Sequence, residues 1–552
     1  MQPPDEENQD LSGIPRSGSI LNAQTIAKEP DLVTIHENEP LTDEQLELER
    51  EELEFSEELN EQTPLLGRST ETDRSFADNK SLSQSQASLF IPSVQFSLYS
   101  GRGGGEIARS LDNSVRVSIH DTNTSRVSKN SKNFTITLIE KLAGADGQAS
   151  GILAGWNIVN VIQGSGGVLG IPFAVSQGGF AALAVIVLVG LMTLYTGVVL
   201  IDCMYEVSPK SRLRKRVRGS YAEIAADAWG PVGGVIVDFM TVAFCYCTCV
   251  VLFMMLGNTV FSFLKSFMTL GFGLNECYLI CAALLVPLVL IHQLTVLAWL
   301  SMLAVLSLIT CLFIIIGYSL QEWQSWKIHN IPDFDINNFP VAIGIIVFSY
   351  CGHSVFPGIE SSMRKPRKFK KIACTSFTSV TLCKVAIGLL CCLLYGPHTL
   401  PLITLNIQSE AKNVVMRSFM AVFIIVNTYF SFPLNIFVAS ETLDLIALPK
   451  LPSCSVNKLK RAIWKLLTRT TLVLSTCGIA VAIPHLGLLM SIFGSLLGAC
   501  ISFILPCALH LTLKRDQLRC YQVVLEVLVI IFGFSAGMLG FVYSCIAMHN
   551  QY

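Results

Sequence analysis

A succession of apolar segments, each long enough to cross a bilayer, limits this chain more than any other feature, because backbone surrounded by lipid must be helical or closed into a barrel. Two of those segments are interrupted near their middles. One carries Gln163-Gly164-Ser165-Gly166-Gly167 and the other Ser349-Tyr350-Cys351-Gly352-His353. In each, a glycine is followed by a proline at the same distance, Gly167 by Pro172 and Gly352 by Pro357. Backbone that leaves helical geometry at membrane depth persists only where protein or a watery cavity meets its hydrogen bonds. Paired interruptions in matching positions of two halves point to a substrate site at the midplane of a secondary transporter.

Of 552 residues, 51% are hydrophobic and 14% charged, where soluble proteins carry roughly 25% charged residues. The average hides a divide. Residues 1–140 are polar and acidic and hold no apolar run near the ~18 residues that a span requires. Rich in Ser, Glu, Asn and Gln, this stretch reads as a disordered cytosolic tail. Residues 141–552 read as a membrane domain. Met1-Gln2-Pro3-Pro4-Asp5-Glu6 is no signal peptide, so the first span is expected to direct insertion. Within the tail, Glu61-Gln62-Thr63-Pro64-Leu65-Leu66 resembles the acidic dileucine signal that clathrin adaptors read, with Glu61, Leu65 and Leu66 as its sorting residues; the plainer reading is a short pattern of the kind that arises often by chance.

Windows of about 19 residues give eleven spans, at approximately 152–176, 179–203, 232–262, 276–292, 297–319, 339–362, 373–396, 413–438, 467–484, 486–510 and 521–546. Basic residues test the topology independently. They gather after the second span (Lys210 to Arg218), the sixth (Arg364 to Lys371), the eighth (Lys450 to Arg469) and the tenth (Lys514 to Arg519). Every basic loop follows an even-numbered span, which predicts a cytosolic N-terminus and a C-terminus across the membrane. The run from Arg364 to Lys371 is topogenic or else meets lipid headgroups.

Spans one to five and six to ten form two five-helix sets, the second inserted upside-down because five is odd, and the eleventh is extra. An interrupted helix opens each set, the plan of the LeuT-like 5+5 inverted repeat. The predicted class is therefore an all-α membrane protein of about eleven helices. Glycines at 164, 166 and 167 leave amides bare and admit a ligand to the backbone; the competing reading is close helix packing. The free N-terminus of a half-helix favours a carboxylate and unwound carbonyls favour an ammonium, so a zwitterion of amino-acid size satisfies both. The predicted substrate contacts are Gln163, Gly164, Ser165, Gly166, Gly167, Tyr350, Cys351 and Gly352, with Tyr429 and Ser431 as further liners. Ionisable groups at membrane depth are costly and mark proton or substrate pathways. His353, Glu360 and Glu441 are the predicted proton-coupling residues. His353 titrates between cytosolic and acidic lumenal pH, or simply holds the broken helix; Glu360 alternatively pairs with Arg364. Asp238 lies near the start of the third span, and Asp202 close enough to the surface to be wet.

All 18 cysteines lie at or beyond Cys203, most inside apolar segments, where thiols behave as small hydrophobes. Cys245, Cys247 and Cys249 step round a helix and do not converge on a metal. No catalytic triad, metal motif or nucleotide loop stands in the chain, so an enzyme, a resident cofactor and a nucleic-acid partner are not expected.

Trp156-Asn157-Ile158-Val159-Asn160-Val161-Ile162-Gln163-Gly164, then Leu169-Gly170-Ile171-Pro172-Phe173-Ala174, resembles the first helix of the amino acid/auxin permease family. Phe339-Pro340-Val341-Ala342-Ile343-Gly344 onward to Ser349-Tyr350, and Pro484-His485 with Leu488-Leu489-Met490, are similar to the vesicular GABA and glycine branch of that family. The resemblance covers about 150–545 and implies a proton-coupled transporter loading small amino acids into acidic synaptic-type vesicles. Ser165-Gly166-Gly167 and Cys351-Gly352-His353 depart from that branch; Gly352-His353-Ser354-Val355-Phe356-Pro357 looks closer to vacuolar neutral amino-acid transporters. A vacuolar or lysosomal transporter and an amino-acid sensor of the same fold are the alternatives.

Overall fold

The computed structural model describes residues 150–164, 167–207, 214–267, 271–291, 294–411, 413–447 and 458–551. The expectations for the tail, including Glu61, Leu65 and Leu66, lie outside these residues, as do Ser165 and Gly166.

Helices occupy all eleven expected spans. The first is α1 (Gly151–Gly164), a 3-10 turn (Gly167–Gly170) and the opening part of α2 (Ile171–Asp202). Gly179 divides that helix at φ +58, in backbone open to glycine alone, and a Cβ there would also strike the Pro332 carbonyl. The second span is the remainder of α2. A short amphipathic helix, α3 (Tyr221–Trp229), begins at Ser220, whose hydroxyl accepts the Glu223 amide in an N-cap, and precedes α4 (Pro231–Lys265), the third span. The fourth and fifth are α5 (Leu274–Val289) and α6 (Leu294–Gln321). The sixth is again split, into α7 (Phe339–Tyr350), a 3-10 turn (His353–Val355) and α8 (Phe356–Ser362). Then follow α9 (Phe369–Tyr395), the short α10 (Ile403–Glu410), α11 (Val414–Ala447) and α12 (Lys458–Ala482). The tenth span runs from α13 (Leu486–Phe493) through two π-helical turns into α14 (Leu505–Lys514), and the eleventh is α15 (Cys520–His549).

Among the described residues, 9 helical stretches are long and apolar enough to cross a membrane alone. The other two expected spans are α1, cut short by its break, and α5, with 16 residues. Packing follows the two-set plan. The second span lies against the seventh, the third against the eighth and the fourth against the ninth, while the interrupted first and sixth meet each other. Contact of these four helices with their counterparts is what an axis relating two inverted sets produces, while the fifth span packs on the eighth instead. The chain is thus a multi-pass, all-α membrane protein of LeuT-like plan.

Two local expectations are corrected. Arg469, counted with the loop after the eighth span, lies inside α12 at 1% exposure and donates to the Val289 and Ile291 carbonyls at 2.8 and 3.2 Å. It caps the end of α5, whose last carbonyls lack helical partners. The loop after the second span carries an antiparallel hairpin, β1 (Tyr205–Val207) with β2 (Arg214–Arg216), Tyr205 opposite Arg216. Strands this short leave no hydropathy signature.

Candidate functional site

The two interruptions touch. Helix α1 ends at Gly164 and a 3-10 turn begins at Gly167; α7 ends at Tyr350 and Cys351 is extended at φ −72, ψ 112. Gly167 is buried with its Cα against the Ser349 backbone, and a Cβ built on Gly352 would stand 2.8 Å from Val161 Cγ1. Each break therefore leans on the helical turn that precedes the other.

A residue from a third helix joins them. Lys384, midway along α9, is fully buried at 0% exposure. Its Nζ donates to the Ser349 carbonyl at 2.6 Å, to Ser349 Oγ at 3.1 Å and to the Ile162 carbonyl at 3.4 Å. It also stands 3.6 Å from the centroid of the Tyr350 ring, within reach of a cation–π attraction. Ile162 and Ser349 both belong to final helical turns, where the last four carbonyls have no partner within the helix. Lys384 supplies that partner to both breaks at once. Tyr350 is fixed in turn by its hydroxyl, which donates to Thr381 Oγ1 at 2.9 Å. Gln163 is buried beside the first break, and its Oε1 has no hydrogen-bond partner among the described residues; a buried acceptor left open in this way is a place for a ligand donor.

Of the predicted proton-coupling residues, His353 is wholly buried in the second break, with Nε2 2.9 Å from Thr196 Oγ1 of α2 and Nδ1 without a side-chain hydrogen-bond partner among the described residues. Its ring packs against Phe356 at 5.1 Å between centroids. Glu360 is 1% exposed, accepts the Tyr205 hydroxyl and lies 3.8 Å from Arg216, so the hairpin supplies its partners. Burial, reinforced by the Glu360 carboxylate, pushes the Tyr205 phenol up from its ordinary range. Glu441 lies on α11, its side chain outside what is described.

The remaining predicted liners separate. Cys351 is buried at the break. Tyr429 points instead to the fourth span, donating to the Leu284 carbonyl at 3.0 Å. Ser431 offers its carbonyl to Asn435 in its own helix. Among the described residues neither shares a hydrogen bond with a break residue, because on a helix of 34 residues only one stripe can face any given neighbour.

A second polar cluster ties the ends of the second, tenth and eleventh spans on the face of the basic loops. Glu526, fully buried, accepts from Tyr195 at 3.1 Å and meets His510 Nδ1 at 2.7 Å; His510 Nε2 and Lys514 lie 3.5 and 3.9 Å from Asp202. Asp202 is thus paired rather than merely wet. Lys384, Glu526 and His510 escape a reading that weighs averaged windows, since one charge scarcely lowers the hydropathy of a long apolar segment. Each is nevertheless visible as an ionisable residue inside a span, the signal that marks intramembrane function.

The opposite ends of the spans enclose a cavity of about 250 Å³, lined by Phe173 and Gln177 of the first span, Asn258 of the third, Asn338 of the sixth, Leu402 and His485. Aromatic and amide groups together suit a small polar molecule with a short apolar part. The two sides of the breaks are therefore unlike: the hairpin and Glu360 cover one, and a hollow opens toward the other.

A family model described as "Transmembrane amino acid transporter protein" matches residues 147–548. A vesicular inhibitory amino acid transporter of Xenopus tropicalis is 30% identical over 401 residues, 71% of this chain and 76% of that protein. An amino acid transporter of Arabidopsis thaliana, AVT1E, is also 30% identical, over 396 residues, 71% of this chain and 72% of that one. A vesicular GABA transporter of Caenorhabditis elegans is 27% identical over 401 residues, covering 72% and 79%.

Proposed function

The chain belongs to the transmembrane amino acid transporter family, and from that premise we propose that it is a proton-coupled secondary transporter that moves small amino acids, GABA and glycine foremost, into acidic vesicles. The observation that carries this reading is the meeting of two interrupted helices, Gly167 against Ser349, with freed carbonyls and open polar groups beside them. Gln163, the glycines that follow it, and Tyr350 to Gly352 are the proposed substrate contacts, where carbonyls suit the ammonium of a zwitterion and half-helix N-termini its carboxylate. His353, Glu360 and Glu441 are ionisable groups through which protons can couple.

Proton efflux is an adequate driving force. Each pH unit is worth about 1.4 kcal/mol, and 100 mV about 2.3 kcal/mol per charge. Rocking of one helix set against the other would alternate access. Opening toward the vesicle interior is favoured by the cavity on the face opposite the basic loops, with the N-terminus cytosolic and the C-terminus lumenal by the distribution of Lys and Arg. The Glu61, Leu65 and Leu66 pattern would hand the tail to a clathrin adaptor. The vesicular assignment draws on relatives in frog and worm.

A second reading, transport of neutral amino acids out of a vacuole or lysosome, draws on Gly352-His353-Ser354 and on the equal identity to the plant transporter. A competition panel of GABA, glycine, alanine and glutamine on proteoliposomes with an imposed pH gradient separates them. Accumulation of GABA or glycine into acidified vesicles is expected. Efflux of alanine or glutamine with no GABA competition would favour the second reading.

A further inference from the structure

The geometry points to Lys384 as a proton-binding group of the transport cycle: a tethered cation whose protonated form pins the two interrupted helices together and whose neutral form lets them part. The inference rests on the proton coupling proposed above and names the group that carries it.

Three features of the site bear on this. An ammonium has three N–H donors and no acceptor, and Lys384 finds three oxygens, the Ser349 and Ile162 carbonyls and Ser349 Oγ. The Tyr350 ring covers a further side. Secondly, the two carbonyls come from different interrupted helices, so one side chain holds both breaks. Unwound carbonyls at such breaks are the groups that coordinate a coupling ion in secondary transporters, and here a side chain of the protein occupies them. Thirdly, the ammonium is met by oxygens and a ring rather than by a carboxylate. Among the described residues no carboxylate pairs with Lys384. Its titratable neighbours are Cys383 on α9 and Tyr350 on α7, the latter engaged with Thr381; from α1 comes the uncharged amide of Gln163, and His353 is turned to Thr196 of α2. A buried cation held by neutral oxygens and a ring face gives those oxygens their reason to converge, and losing its proton removes it.

On deprotonation, the N–H bond breaks heterolytically and the proton passes to water reaching the breaks from the side then open. The neutral amine keeps two N–H donors for three oxygens, so one oxygen loses its donor, and the Ile162 carbonyl, farthest at 3.4 Å, is the contact first given up. Reprotonation from the other side restores the clamp. His353, which joins the second break to α2 and touches neither carbonyl, is a positioning residue in this scheme.

The test uses the full chain in proteoliposomes with radiolabelled glycine, or the amino acid that the competition panel selects. Two modes are compared: accumulation under an imposed pH gradient, and counterflow exchange with no gradient. Lys384→Met, close in length and uncharged, is expected to lose accumulation at least ~10-fold, about 1.4 kcal/mol, yet to keep counterflow at a rate that no longer varies with pH. Lys384→Arg, which cannot release its proton, is also expected to lose accumulation. Wild-type accumulation in either variant, or counterflow in the Met variant that keeps the wild-type pH profile, would overturn the assignment. Loss of both modes by a folded Met variant would overturn it as well, making Lys384 a structural or substrate contact. Where the Met variant proves unstable, thermal unfolding of Lys384→Ala with and without propylammonium decides: stabilisation by the added cation is expected, and no response refutes the clamp. Failure of the wild type itself to accumulate would instead sink proton coupling as a whole.

Discussion

Gly167 and Ser349 stand backbone to backbone across the two interruptions: a Cβ on Gly167 would lie 2.6 Å from the Ser349 Cα and 2.8 Å from its Cβ. Main chain cannot yield as a flexible side chain does. Gly167→Ala should therefore wedge the breaks apart at a cost of about 1–3 kcal/mol, the range for overpacking a core. Initial uptake should fall at least ~10-fold while the protein still reaches the membrane. Gly352→Ala meets the end of the Val161 side chain instead and should be milder. Equal, near-wild-type uptake by both would show that the breaks are not closely fitted.

His353 and Thr196 make the bond between the second break and α2. His353→Ala should lower uptake or displace its pH profile without loss of vesicular protein. Thr196→Val, which removes the hydroxyl and preserves shape, should reproduce much of that effect. If the bond is what matters, the double variant will be no worse than the poorer single one, since residues in direct contact do not add. Wild-type behaviour of His353→Ala would remove it from the mechanism.

Tyr205 and Glu360 close the side of the breaks nearest the basic loops. Tyr205→Phe deletes the phenolic donor and leaves the buried carboxylate facing Arg216 at 3.8 Å. Hydrogen bonds to charged groups are worth about 1.5–3 kcal/mol, so the variant should unfold at lower temperature. A cysteine placed on α8 should become more accessible to thiol reagent from that side. Unchanged accessibility would mean the hairpin is not a cover.

Gly179 carries the turn between the first two spans at φ +58. Gly179→Ala is strained whatever the surrounding space, and the Pro332 carbonyl leaves none. Backbone strain of this kind costs about 1–3 kcal/mol. Solubilised protein of the variant should show a depressed melting temperature and reduced yield, measured by fluorescence size-exclusion after heating.

The eleven spans, the two interruptions and the family were legible in residue order, because hydropathy over a bilayer's thickness is a local sum and because glycine and proline break helices wherever they fall. Leu274–Val289 and the split first helix show how far this reaches: neither passes a strict length test, yet both stand where apolar windows placed them. The hairpin and α3 did not register, being too short to outweigh their loops. Partnership was another matter. Tyr429 and Ser431 share residue types with a binding site but turn toward other neighbours, whereas Lys384, a single charge in an apolar window, gathers oxygens from Ile162 and Ser349, 222 and 35 positions away in residue number. Residue order alone determined how many spans there are, where two of them break and which family they form. Tertiary structure decided which face each helix presents, and hence that one buried ammonium joins both breaks, because that depends on rotations and crossings set by the packing of all eleven helices at once.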